Sequence, residues 1–145
     1  MTQTAHGSLV VDTSAAVAVI LGEPGGDELT VHLEDALARL MPAAIRVELG
    51  IVIEAGLWPA GQDVVDRFLR DAKIDIVPVD SDLAARAISG WRRYGKGRHP
   101  AGLNFGDCFT YALAERTGLP VLCTGDDFAA TDIAVVRPQP GPDPA

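Results

Sequence analysis

Apolar and polar positions alternate between two rhythms along this chain. Residues 8–12 (SLVVD) form an unbroken aliphatic run ending in an acid. A run without polar alternation suits a strand buried on both faces, as in a parallel sheet. Residues 74–79 (IDIVPV), 121–124 and 133–136 read as further strands, and 41–43 as a very short one. Helical spacing fills the gaps between them. Residues 15–21 form a short helix with Ser14 as its expected N-cap. Residues 27–40 place Leu29, Leu33, Leu37 and Leu40 near one face, which predicts a helix over that span. Residues 44–57 are apolar on nearly every side, which predicts a buried helix, closed by Trp58-Pro59. Further helices are expected over 62–72, 81–94 and 106–117, the last ended by Gly118. The helix over 81–94 has an apolar stripe of Leu83, Ala87, Trp91 and Tyr94. Strands and helices alternate through connections too long for hairpins. That predicts an α/β fold: a mostly parallel sheet of four to five strands with helices on both faces. Residues 1–137 read as one domain, and 138–145 (PQPGPDPA) as a proline-rich tail expected to be disordered.

Composition narrows the class. Apolar residues make up 48% of the chain but aromatics only 6%, so the core must be aliphatic and rich in alanine. No apolar run is long enough to span a membrane. The N-terminal MTQTAHGS lacks the basic and apolar regions of a signal peptide. Cys108 and Cys123 form neither a disulfide framework nor a zinc pattern, and read as core residues in a reducing cytoplasm. His6, His32 and His99 have no ligand partner at helical spacing and are expected at the surface.

In a parallel sheet, ligands bind beyond the carboxyl ends of the strands. The connecting helices begin at that same edge. Asp12 ends the first strand, Glu48 sits early in the helix after the second, Asp107 opens the last helix, and Asp126 follows the next-to-last strand. Four carboxylates from distant stretches therefore meet at one edge. Like charges in proximity raise each other's pKa, and a hard divalent cation such as Mg²⁺ or Mn²⁺ relieves the repulsion. Each acid also has an ordinary reading. Asp12 and Asp107 suit helix caps, and Asp126 and Asp127 suit a turn. Glu48 inside an apolar helix is harder to dismiss. The joint placement is the signal.

These stretches resemble VapC-type toxins of the PIN-domain family. The matching segments are VVDTSA at Asp12, AIRVELGIVIEAG at Glu48, HPAGLNFGDCFTYALA at Asp107 and LPVLCTGDDFAATDI at Asp126. The resemblance implies a three-layer α/β/α sandwich. It implies a Mg²⁺- or Mn²⁺-dependent endoribonuclease that hydrolyses RNA phosphodiester bonds through a metal-activated water. It further implies the toxin role in a type II toxin–antitoxin system, a VapB-type antitoxin partner and a homodimer. Carried over by position, the catalytic and metal-binding acids are Asp12, Glu48, Asp107 and Asp126. Ser14 and Thr124 fall where hydroxyls flank the site. Asp127 is the less favoured neighbour of Asp126. The helices expected over 27–40 and 44–57 are the surfaces expected to meet the antitoxin and a second copy.

A net charge of −8 argues against a protein whose whole surface binds nucleic acid. Residues 83–106, however, contain no acid and hold five of the 12 Lys and Arg: Arg86, Arg92, Arg93, Lys96 and Arg98. Arg92, Arg93, Lys96 and Arg98 are the candidate contacts to RNA phosphates. Trp91 and Tyr94 are expected to pack in the core rather than stack on bases. Arg46 either faces the site or pairs with an acid. Two other functions compete. One is a catalytically inactive PIN-like module that binds RNA or protein. The other is a phosphotransfer domain with Asp12 as nucleophile, in which a second Asp would be wanted where Ser14 stands.

Overall fold

The aliphatic run near the start of the chain becomes β1 (Leu9–Val11), and its side chains divide between two cores. Leu9 and Val11 join one buried cluster and Val10 the other. A strand apolar at every position is therefore covered on both faces, as its lack of alternation predicts. The chain continues through α1 (Thr13–Leu21), α2 (Gly26–Asp35), β2 (Arg39–Pro42), α3 (Ala43–Leu57), α4 (Gly61–Asp71) and β3 (Ile74–Val77). It then runs through α5 (Ser81–Tyr94), α6 (Phe105–Thr117), β4 (Val121–Leu122) and β5 (Val135–Val136). This computed structural model describes residues 7–139, so the expected disorder of the tail falls almost wholly outside it. Gln139, at the start of that tail, donates its N–H to the Glu28 carboxylate at 2.9–3.0 Å.

The five strands pair in the order β3-β2-β1-β4-β5, and every pairing is parallel. Leu29, Leu33, Ile45, Leu49 and Val65 cover one face together with the alanines of α1. Leu83, Ala87, Tyr111, Ala112 and Leu113 from α5 and α6 cover the other. The result is the three-layer sandwich expected. Both cysteines are buried and unpaired, and burial pushes both thiols up, Cys123 to about 12. Among the described residues no helix is long and apolar enough to cross a membrane.

Two expectations change. The helix expected over 27–40 stops at Asp35, because Ala36 turns extended and residues 39–42 pair as β2. The Arg39 guanidinium completes that stop by donating to the Leu33 and Ala36 carbonyls at 2.8 and 2.7 Å. It thereby satisfies groups the helix end leaves open. Leu37, which the leucine spacing placed on the helix face, is 75% exposed. The second change concerns α3. Ile45, Leu49 and Ile53 are buried, but Val47 and Ile51 are 60% and 65% exposed. The helix covers the sheet with one face only, and its apolar outer face is not used by the fold.

Candidate active site

The chain leaves β1 toward β2 on one side of the sheet and leaves β4 toward β5 on the other. A crevice opens at such a switch point, beyond the carboxyl ends of the two strands. Asp12 is the residue after β1, and its backbone N–H donates to Leu122 O of β4 at 3.1 Å. Asp12 is 4% exposed. It caps α1, accepting at Oδ2 from the Ser14 N–H (3.1 Å) and from the Ser14 hydroxyl (2.7 Å). The expected cap residue is thus corrected: Asp12 caps, and Ser14 lies inside the helix. Ser14 Oγ also accepts from the Thr124 N–H at 3.0 Å, joining the ends of β1 and β4 across the crevice. Thr124 therefore enters the site through its backbone. On the other oxygen, Asp12 Oδ1 accepts from the Thr110 hydroxyl at 2.8 Å.

Glu48 comes from α3, in its second turn, and is half-buried. The Thr13 hydroxyl donates to its Oε1 at 2.5 Å. Its carboxylate lies against the start of α6, where a Cβ on Gly106 would overlap Glu48 Oε2. Only glycine leaves room for the carboxylate there.

Asp107 opens α6 in a capping box. Its N–H donates to Asn104 Oδ1 at 2.8 Å, and its Oδ2 accepts from the Asn104 N–H at 3.0 Å. The capping reading of Asp107 holds, and the box uses one of its two carboxylate oxygens. Burial pushes the Asp107 carboxyl from 3.8 up to about 7; the Asn104 N–H opposes the shift, and the charges of Asp12, Asp127 and Glu48 add to it. Asp12, Glu48 and Asp107 are therefore brought within electrostatic reach of each other.

The fourth acid departs from expectation. Asp126 is turned outward, its side chain 94% exposed and paired with Arg137 at 2.6 Å. Asp127 beside it is exposed as well. Its charge is among those that raise Asp107 and Cys123. The turn after β4 carries two adjacent exposed acids, and residue order alone does not say which of them serves the crevice. The crowding is also looser than expected. Among the described residues no three Asp, Glu, His or Cys side chains already form a cation cage. The donor set nevertheless fits a hard divalent ion: carboxylate oxygens, no thiolate or imidazole, and an acid whose carboxyl is raised by burial first and by the neighbouring carboxylates second.

The basic segment divides in two. Arg86 pairs with Asp82 and Glu115 at 2.9 and 3.2 Å. Arg93 donates to the Tyr111 and Tyr94 hydroxyls and pairs with Asp132 at 3.1 Å. Of the four candidate RNA contacts, Arg93 is therefore engaged within the protein. Its acidic partners lie far along the chain, which hid the pairing. Arg92 and Lys96 are exposed, and the Arg98 guanidinium stacks 4.6 Å from the Trp91 ring centre. Tyr94 packs on the core as expected, whereas Trp91 is 45% exposed. Trp91, Lys96 and Phe105 line an apolar groove of about 660 Å³ that reaches Asn104, beside Asp107. Arg46 turns from the site to pair with Asp66 at 3.0 Å. His32 sits near Glu28, and His99 Nδ1 accepts from the Ala101 N–H; His6 lies outside the described residues.

Four residues the sequence did not single out complete the pocket: Thr13, Asn104, Gly106 and Thr110. Thr13 and Gly106 adjoin Asp12 and Asp107 in the chain, and that adjacency was the one available signal.

The chain is similar to known proteins. A family profile described as PIN domain matches residues 9–134. Ribonuclease VapC30 of Mycobacterium tuberculosis is 45% identical over 128 residues, covering 88% of this chain and 98% of its own. Ribonuclease VapC of Mycolicibacterium smegmatis is 45% identical over 129 residues, covering 89% and 100%. Among solved structures, Mycobacterium tuberculosis VapC20, described as a sarcin-ricin loop cleaving toxin, superposes with a TM-score of 0.70 at 17% identity. That match covers 90% of this chain and 99% of the other. A toxin–antitoxin complex from Klebsiella pneumoniae gives a TM-score of 0.65 at 17% identity, covering 88% and 95%. At those identities the structural likeness is one of fold.

Proposed function

The chain belongs to the PIN-domain family, with VapC ribonucleases as its close relatives, and on that premise we propose that it is a metal-dependent endoribonuclease acting as the toxin of a type II toxin–antitoxin pair. The observation that carries this reading is the placement of three acids at one end of the sheet: Asp12 after β1, Glu48 against the start of α6, and half-buried Asp107 in that helix's first turn. Asp12, Glu48 and Asp107 are the residues that would hold Mg²⁺ or Mn²⁺. The turn after β4 supplies a fourth carboxylate, Asp126 by its place in the T-x-D pattern or Asp127 by its field. When bound, such an ion supplies Lewis-acid stabilisation of charge developing at a phosphodiester and acidifies water.

The chain's own residues prepare the site. Thr110 and Ser14 orient Asp12, Thr13 holds Glu48, and Asn104 holds Asp107. Lys96, Arg92 and Arg98 give an acidic protein a local cationic surface through which RNA approaches. The other partners on this reading are a VapB-type antitoxin and a second copy of the chain, meeting exposed apolar faces such as Val47 and Ile51 of α3. The working compartment is the cytoplasm.

Incubating the purified protein with cellular RNA tests the proposal. Cleavage is expected with Mg²⁺ or Mn²⁺, leaving 5′-phosphate and 3′-hydroxyl ends, and it should stop with EDTA or in Asp12→Asn. RNA left intact by the wild-type chain in either ion would instead assign an inactive binding module.

A further inference from the structure

A threonine inside a helix ordinarily donates its hydroxyl proton to a carbonyl one turn back. Two threonines of this chain do so. Thr30 donates to Gly26 O at 2.9 Å, and Thr117 to Leu113 O at 2.7 Å. Thr110 behaves differently. It lies mid-way along α6 with 0% exposure, and its hydroxyl donates to Asp12 Oδ1, 98 positions away in sequence, at 2.8 Å. Helix propensity does not account for a threonine there, since valine is an equally good helix former of the same shape. What valine lacks is the donor.

The consequence for Asp12 follows from its surroundings. Oδ2 is held from α1 by the Ser14 N–H and hydroxyl. Oδ1 is held from α6, the helix that also carries Asp107. The torsion that turns a carboxylate is soft, and two holds from different elements stop it. We propose that Thr110 is a positioning residue for the divalent-cation site. Its hydroxyl fixes the plane of the Asp12 carboxylate and ties that ligand to the helix bearing Asp107. A carboxylate oxygen has two lone pairs, so Oδ1 accepts this bond and still has one to offer a cation. The inference rests on the metal-dependent reading above.

The experiment measures Mn²⁺ binding by electron paramagnetic resonance on the full chain, in wild type, Thr110→Val and Thr110→Ser. Parallel RNA cleavage assays give kcat and KM. Losing a group that orients a metal ligand typically weakens affinity by about ten- to a hundredfold. Thr110→Val is therefore expected to bind Mn²⁺ at least about tenfold more weakly, with kcat reduced and KM for RNA little changed. Thr110→Ser, which keeps the hydroxyl and loses the methyl, should stay close to wild type. If the valine variant is insoluble, Thr110→Ala against Thr110→Ser carries the same comparison, since both lack the methyl. Mn²⁺ affinity unchanged on loss of the hydroxyl overturns the proposal. So does a serine variant as weak as the valine one, because packing would then be the cause. A wild-type chain that neither binds Mn²⁺ nor cleaves RNA overturns the metal-dependent reading itself, and Thr110's role with it.

Discussion

Replacing Asp107 with Asn should stabilise the metal-free protein while abolishing its activity. Burial, reinforced by the charges of Asp12, Asp127 and Glu48, raises this carboxyl from 3.8 to about 7. An acid with a raised folded-state pKa binds its proton more tightly in the folded chain than in the unfolded one. Its penalty is therefore absent below about pH 4, grows as pH rises, and is complete above about pH 7. A displacement from 3.8 to about 7 corresponds to at most about 4 kcal/mol at 1.36 kcal/mol per pH unit. The carboxyl is only half-buried, and solvent screening lowers the figure to roughly 1–2 kcal/mol. Asparagine has the same shape and keeps an oxygen to accept the Asn104 N–H, so the capping box survives. In EDTA at pH 8 the variant should melt several degrees above wild type, at about 3 °C per kcal/mol for a chain of this size. The gap should close as pH falls toward 4. Mg²⁺ should raise the melting temperature of wild type and leave the variant nearly unchanged, since only a folded state that binds the ion gains from it. Equal melting in EDTA at pH 8, or a gap that widens on acidification, would refute the argument that uncompensated charge is stored at Asp107.

Other outcomes follow from the same geometry. Gly106→Ala drives a Cβ into the Glu48 carboxylate; cleavage should fall roughly a hundredfold, as a misplaced catalytic group costs, while circular dichroism stays native. Asp127→Asn should weaken Mn²⁺ binding more than Asp126→Asn; the reverse ranking would show that the turn reorients and that Arg137 releases Asp126 when the cation arrives. Lys96→Ala and Arg98→Ala should raise KM for RNA and flatten its salt dependence. Arg93→Ala should instead lower the melting temperature by breaking the Tyr111–Asp132 network, and a large KM effect there would contradict the assignment. Native Cys108 and Cys123 should resist alkylation until the chain unfolds, because burial disfavours both thiolates.

Much of this protein is local and could be read along the chain. Residue spacing alone placed α5 at 81–94 and ended α6 at Gly118, and the unalternating run at residues 9–11 required a strand covered on both sides. Asp12, Glu48 and Asp107 were legible for the same reason. Their proximity follows from where strands end and helices begin, which periodicity reveals. The end of α2 was not legible, because leucine spacing continued past Asp35 while pairing between β2 and its neighbours claimed the next residues. Nor was the outward pairing of Asp126, which Arg137 at the end of the last strand decides. Thr110, Gly106 and Arg93 owe their roles to partners that only folding brings near: Asp12, Glu48 and Asp132. Hydrophobic periodicity records which face of an element is buried, because burial acts on each residue separately. A hydrogen bond or an ion pair needs two groups placed within about 3 Å of each other, and only the assembled fold determines that distance.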